Sequence, residues 1–406
     1  MTVASPGTGR AAGRHDPPAA VAPPPGHPRF AAVDSLRALA ALAVVVTHTA
    51  TFSGFSTTTW WGAIWHNLDI GVPIFFVISG FLLYRPFLAT ALLSAPRTSV
   101  SGYAWRRLLR IVPAYWLALT VLGWYANLHG VFTGDWWRYY LFLQVYNHRT
   151  LYGGISPAWT LCIEVTFYAL LPLYGAGMTW LCRAAGGRRG RARITAELIM
   201  LPALAIASVT LRGIDLAGPR TLLDNTILEN FDWFAAGMVL AVVSVAAAQG
   251  HPLRAVSHSV ARWPTACWLS ALAIYVILAR VVFYPVVQSG GFLYDSPGRG
   301  LLRHVVFGLI AVLFVAPAIF VSQRGLPARV LRWRVLAWLG LISYGIYLWH
   351  SPLLGKLLDH GALTWLPHHV FIVLTAATAG SAIAAAAVSY YVVERPILML
   401  KRQFRR

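Results

Sequence analysis

Ser35-Leu-Arg-Ala-Leu-Ala-Ala-Leu-Ala-Val-Val-Val-Thr-His-Thr49 is apolar almost throughout, yet an arginine stands near its start and a histidine near its end. Its length and apolarity suit one crossing of a bilayer, which takes about 20 residues. Asp34 or Ser35 can cap its N-terminus, because a side-chain oxygen there satisfies a free N–H of the first turn. Arg37, Ala41, Val44 and His48 follow one helical stripe, so Arg37 and His48 share a face. An ionisable residue inside a span is costly and faces a bundle interior or a wet cavity. His48 is therefore a functional-site candidate. The competing reading is a histidine at the far interface with no special partner.

The rest of the chain repeats this pattern. Of its 406 residues, 58% are hydrophobic and 11% charged, whereas an average soluble domain is about 25% charged. Apolar runs of span length number about ten: Ser35–Ser53, Ile70–Thr90, Trp105–Ala126, Pro157–Trp180, Thr195–Arg212, Glu229–Val245, Pro264–Val286, Leu302–Ser322, Val335–Leu354 and His368–Val393. Trp136 to Gln144 is apolar and aromatic but too short to cross, and reads as a re-entrant or interfacial segment. The expected fold is all-α, a polytopic transmembrane helix bundle.

Charge orients it. The 33 Lys and Arg outnumber 13 acidic residues, giving +20. Such a balance could serve nucleic acid, but the basic residues form no single patch. They cluster in alternate loops, around Arg106, Arg107 and Arg110, around Arg188 to Arg193, around Arg324 to Arg334, and after Arg395. The opposite loops hold only Arg138, Arg149, Arg220, Arg299 and Lys356. The positive-inside rule then predicts both termini in the cytoplasm and a multi-pass protein of a bacterial inner membrane. Residues 1–30, rich in Ala, Pro and Gly, are expected to be a disordered cytoplasmic tail, without a cleavable signal peptide. Residues 31–398 are expected to form the membrane domain and 399–406 a basic cytoplasmic tail, with no soluble domain expected. Cys162, Cys182 and Cys267 are odd in number and lack metal-ligand spacing, so neither a disulfide framework nor a metal site is implied.

The residues fit for chemistry converge in depth. Counted from the ends of their spans, His48, Glu164 and His350 fall within about 10 Å of the outer surface. Asp69 sits at the outer start of the second span. A buried carboxylate beside a histidine fixes its tautomer and stabilises its cation, so this layer suits general acid–base work. At the inner end, Trp105-Arg-Arg-Leu-Leu-Arg-Ile-Val-Pro113 opens the third span. Arg107 and Arg110, like Arg106 and Arg110, share a helix face and can fork around phosphates. The plainer alternative is a positive-inside anchor. Gly80 reads as a site of close helix packing, and Glu394 with Arg395 as a surface ion pair.

These stretches together resemble the acyltransferase 3 family of bacterial integral-membrane O-acyltransferases. The resemblance is carried by Leu36-Arg-Ala-Leu-Ala-Ala with His48; Gly71-Val-Pro-Ile-Phe-Phe-Val-Ile-Ser-Gly-Phe-Leu82; Arg107 and Arg110; Pro157-Ala-Trp-Thr-Leu-Cys-Ile-Glu164 with Phe167-Tyr168; Ser343-Tyr-Gly-Ile-Tyr-Leu-Trp-His350; and Val393-Glu-Arg-Pro396. It implies transfer of an acyl group, often acetyl, from cytoplasmic acyl-CoA to a hydroxyl, commonly of a sugar, with no permanently bound cofactor. It implies that His48 is the catalytic histidine and that Arg107 and Arg110, with Arg106 and Arg37 beside them, hold the acyl-CoA. Many members carry an acid after the Gly-Val of the second span, where this chain has Pro73. Asp69 or Glu164 is then the substitute carboxylate. His350 joins the catalytic layer, with Trp159 and Tyr347 as substrate contacts and Tyr347 as a possible donor to the carbonyl oxygen. The expected partners are acyl-CoA, a carbohydrate or glycoside acceptor and the bilayer, with no nucleic acid; the oligomeric state is not legible. A glycosylated secondary metabolite such as a macrolide is an alternative acceptor. A glycan or small-molecule transporter is the alternative of another class, disfavoured by the lack of repeated halves.

Overall fold

In the computed structural model, described over residues 31–93, 99–184, 190–218, 225–281, 296–320, 330–331 and 333–400, helices alternate with short turns and no strand occurs among those residues. The long helices are α1 (Ala31–Phe52), α2 (Gly71–Leu92), α3 (Val100–Tyr125), α4 (Trp159–Ala184), α5 (Arg191–Ala217), α6 (Phe231–Ala248), α7 (Pro264–Val281), α8 (Pro297–Phe320), α9 (Arg334–Asp359) and α10 (Val370–Ser389). Each coincides with one span read from the sequence. Among the described residues, 9 helices are long and apolar enough to cross a membrane. The long helix outside that set is α9, whose apolarity is diluted by Tyr344, Tyr347, Trp349 and His350. It packs between α1 and α10 all the same. The aromatic segment too short to cross is a five-residue helix, Trp136–Tyr140. Tyr115 of α3 donates to the Tyr139 carbonyl at 3.0 Å, pinning this turn against the helix. The tails, residues 1–30 and 401–406, lie outside the described residues.

The helices are apolar nearly all round, as expected where lipid and core are both oily. Their packing is therefore set by shape. The tightest crossing is α2 on α6, where Gly80 faces the Phe234 carbonyl and Gly237 faces the Val77 carbonyl. A Cβ at either position would overlap the opposing backbone, which is how small residues bring membrane helices together. The largest apolar cluster surrounds this crossing, including Phe76, Phe81, Phe167 and Phe234. A second joins α3, α4 and the outer loop, and a third joins α1, α9 and α10. Towards the Leu92 end of α2, Arg193 pairs with Glu197 at 2.7 Å, and Tyr84 and Tyr174 both donate to Glu197. This satisfied network ties α2, α4 and α5.

One expectation is corrected at the end of the bundle. Glu394 is buried, in a π-helical turn Tyr390–Glu394, and accepts from Ser389 at 3.2 Å rather than pairing on the surface with Arg395. The wider π turn breaks the ordinary helical register, so sequence spacing does not report its facing.

Candidate active site

α1 and α9 run side by side, and each carries one histidine at the contact. His48 Nδ1 lies 2.9 Å from His350 Nε2, and the rings stack with centroids 5.0 Å apart and planes at 12°. His350 is fully buried and its Nδ1 lies 2.8 Å from the Tyr347 carbonyl. A carbonyl only accepts, so His350 Nδ1 carries a hydrogen. In the neutral ring Nε2 is then bare and accepts from His48 Nδ1. His48 Nε2 is left as the basic nitrogen of the pair. Backbone geometry thus fixes two tautomers in series.

His48 lines a cavity of about 340 Å³ at the end of the bundle that the loop charges predict to be the outer one. Asp69 enters its wall from the 3₁₀ turn Asn67–Ile70, just ahead of α2. Its carboxylate is held by Arg303 of α8, whose Nη2 lies 2.6 and 2.7 Å from its two oxygens, and Arg303 Nε donates to Asn67 at 3.0 Å. Trp159 lines the same cavity. Tyr347 does too, but its hydroxyl donates to the Pro157 carbonyl at 2.8 Å, beside Thr160 at 2.7 Å. That hydrogen is already engaged, so Tyr347 serves here as a wall.

Glu164 does not join the histidines. Thr160 is level with Tyr347 through their hydroxyl contact. Glu164 lies one turn of α4 inward from Thr160, and His350 one turn of α9 outward from Tyr347, which separates them by roughly 10 Å in depth. Counting from span ends does not show this, because it leaves open the relative height of two helices, which here the Thr160–Tyr347 contact sets. Glu164 instead accepts from Ser79 of α2 and lines a smaller cavity of about 40 Å³ with Arg37. The two cavities share Val72 and Tyr347 in their walls.

Further inward the arginines gather. Arg107 lies against the rings of Tyr103 and Tyr168, at 6.0 and 5.8 Å. Arg37 and Arg107 both act electrostatically on Glu164 and Tyr168, and Arg110 acts on both arginines. The Nε atoms of Arg37 and Arg107 are buried without a hydrogen-bond partner. Asp34 also acts on Arg37, and Glu394 faces Arg110, so the cluster holds carboxylates as well as guanidinium groups with free Nε hydrogens. Arg106, next in sequence, sits on α3 against Gly102.

A family model described as an acyltransferase domain matches residues 30–387. The chain belongs to the acyltransferase 3 family. It is 27% identical over 343 residues to the peptidoglycan O-acetyltransferase OatA of Listeria monocytogenes, covering 79% of this chain and 49% of that protein. It is 25% identical over 356 residues to the putative peptidoglycan O-acetyltransferase YrhL of Bacillus subtilis, covering 81% and 49%. Nodulation protein 10 of Rhizobium leguminosarum is 31% identical over 124 residues, covering 25% of this chain and 32% of that protein. The chain spans about half the length of the first two relatives. No solved structure matches it. Family membership together with the apolar helices makes this a multi-pass membrane protein.

Within this acyltransferase-family bundle, two residues escaped the sequence reading. His304 of α8 is 3% exposed and lines the outer cavity, with its Nε2 2.9 and 3.0 Å from the two oxygens of Asp232 on α6. The signal was present: a histidine beside Arg303 in an apolar run is as anomalous as His48. Its partner lies 72 positions away, and no helical spacing links them. Among the described residues, no group of three His, Cys, Asp or Glu is arranged to hold a metal ion.

Proposed function

We propose that the protein transfers an acyl group, in the first instance acetyl, from acyl-CoA to a hydroxyl of a carbohydrate or glycan precursor. The observation that carries this reading is the basic Nε2 of His48, set at the outer cavity by the His350 and Tyr347 chain. A thioester is already activated, but a sugar hydroxyl is a poor nucleophile until its proton is removed. His48 Nε2 takes that proton as the hydroxyl oxygen attacks the thioester carbonyl. The C–S bond breaks, the ester forms, and the imidazolium returns its proton to the departing thiolate. His350 does not touch the reacting atoms; it holds His48 in the tautomer that exposes Nε2.

The donor's phosphates fit the inner cluster. The Nε hydrogens of Arg37 and Arg107 are buried without acceptors, and phosphate oxygens satisfy such donors with charge-assisted bonds. Arg37 and Arg107 are the principal contacts, with Arg110 at the mouth. The positive-inside rule puts that end in the cytoplasm, where acyl-CoA is found. The acyl group then passes the Val72 and Tyr347 wall from the small cavity to the large one. The names of the OatA and YrhL relatives point to a cell-envelope glycan as the acceptor class.

The test is incubation of the purified chain with acetyl-labelled acetyl-CoA and soluble saccharide acceptors. Label should move to the saccharide in wild type and not in His48→Gln. Retention of all label on CoA or in water with every saccharide tried would remove the reading.

A further inference from the structure

The outer cavity contains a second dyad that the proposed proton transfer does not use. His304 gives its Nε2 hydrogen to the Asp232 carboxylate, at 2.9 and 3.0 Å. The side chains are 2% and 10% exposed. Trp233 stacks on the imidazole, centroids 4.1 Å apart, and its indole donates to the His304 carbonyl at 3.2 Å. The ring is thus held on one face, one nitrogen and its own backbone. Its Nδ1 is buried and has no hydrogen-bond partner. In the neutral tautomer Nδ1 is a pure acceptor. Leaving it unpaired forfeits the hydrogen bond that the acceptor lost on leaving water, a cost that a purely structural histidine need not carry.

The charges around it narrow the ligand. Arg303 is matched by Asp69, and Arg212 reaches Glu229 at 3.6 Å. Each of these two cations therefore has a carboxylate beside it, which leaves no net charge from either pair for a charged ligand. At about 340 Å³ it lies at the small end of ligand sites, which run roughly 300–1,000 Å³. Trp159 and Trp233 add apolar ring surface to its wall.

We propose that His304, oriented by Asp232, is the recognition group for an uncharged, polyhydroxylated acceptor. Its Nδ1 accepts a hydrogen bond from a second hydroxyl of the sugar ring whose first hydroxyl lies at His48. This rests on the acyl-transfer reading for the meaning of the first hydroxyl, but binding can be measured without transfer. Recognition by a buried, otherwise unpaired acceptor discriminates strongly against an analogue lacking the hydroxyl, because the site group is again left bare.

The test is equilibrium binding of methyl N-acetyl-β-glucosaminide and its 3-, 4- and 6-monodeoxy analogues to the purified full chain in detergent, followed by tryptophan fluorescence. In wild type, removal of one particular hydroxyl should weaken binding at least tenfold. That penalty should vanish in His304→Phe, which keeps a ring for Trp233 to stack on, and should persist in His48→Gln. Wild-type binding that is indifferent to every single deoxygenation overturns the assignment, as does a penalty that survives in His304→Phe. Absence of saturable saccharide binding by wild type overturns it as well. Saccharide binding with the expected deoxy pattern but no acetyl transfer would count against the reaction and leave the subsite standing.

Discussion

His350 accepts the Nδ1 hydrogen of His48 at 2.9 Å because its own Nδ1 hydrogen is already given to the Tyr347 carbonyl. The partner of the candidate base is thus a second histidine, itself addressed by the backbone. A histidine carries no fixed negative charge. It orients the first ring without adding a fixed charge beside it.

This relationship predicts a graded response at His350. Its replacement by leucine removes the acceptor for His48 Nδ1 and frees the ring to change tautomer. We expect kcat to fall about tenfold to a hundredfold, on the scale of mispositioning effects, with little change in KM for acyl-CoA. Glutamine keeps a carbonyl that can accept from His48 and should recover most of the loss. Equal damage from His350→Leu and His350→Gln in steady-state kinetics would point to a role beyond positioning.

At His48 the response should be absolute rather than graded. Glutamine retains hydrogen-bonding capacity and approximate size but cannot act as a base near neutral pH. General-base catalysis contributes typically about 10²–10⁴-fold, so His48→Gln should lose at least that much transfer. Binding of acetyl-CoA, measured by isothermal titration, should stay within a few-fold of wild type, since the arginine cluster is untouched. A near-wild-type transfer rate would make His48 structural.

The inner arginines divide by environment, and their mutants should divide likewise. Arg37 and Arg107 each hold a buried, unpartnered Nε. Each should cost tenfold or more in acetyl-CoA affinity when changed to alanine, from charge-assisted bonds worth about 1.5–3 kcal/mol. Arg106, placed against Gly102 near the start of α3, should cost little. Acceptor affinity should be unmoved in all three. Equal donor affinities across the series would reduce these arginines to topology anchors.

Gly237 offers a prediction on stability. Its added Cβ would meet the Val77 backbone carbonyl, which cannot rotate away. Gly237→Val must therefore separate α2 from α6, and overpacking costs typically about 1–3 kcal/mol or more. The midpoint of thermal unfolding, followed by size-exclusion of the detergent-solubilised protein, should drop clearly, with Gly237→Ala between it and wild type. An unchanged midpoint would mean that the crossing is not a determinant of the bundle.

Much of this was legible in the chain because apolar run length is a local property. Each long helix coincides with an expected span, and the Trp136 turn was recognised as too short. The conjunction of His48 and His350 was half legible, since depth follows from counting residues while lateral adjacency does not. Glu164 shows where counting fails: residue counts within α4 and α9 leave open the relative height of the two helices, which the Thr160–Tyr347 contact fixes. His304 and Asp232 were missed for another reason. Their pairing is created by the packing of α8 near α6, and a 72-residue separation leaves no trace in periodicity. Arg303 and Asp69 are paired across 234 positions in the same manner.

That last pair decides how Asp69 should be tested. The sequence offered Asp69 as a carboxylate to support His48 in place of an acid at Pro73. In the structure both of its oxygens face Arg303 Nη2, at 2.6 and 2.7 Å, while the hydrogen-bond partner of His48 is His350. Asp69→Asn should therefore act through Arg303, whose charge it leaves unmatched at the cavity wall. The expected outcome is a fall in kcat/KM for the acceptor with donor binding retained. Residues that share one interaction are non-additive, so Arg303→Gln combined with Asp69→Asn should be no worse than Asp69→Asn alone. Direct support of His48 by Asp69 would give the opposite pattern, with the Asp69→Asn loss persisting at full size and the Arg303→Gln loss adding to it. The four-cornered cycle of acceptor kcat/KM separates the two arrangements, because only an ion pair acting as a unit makes the second substitution cost nothing.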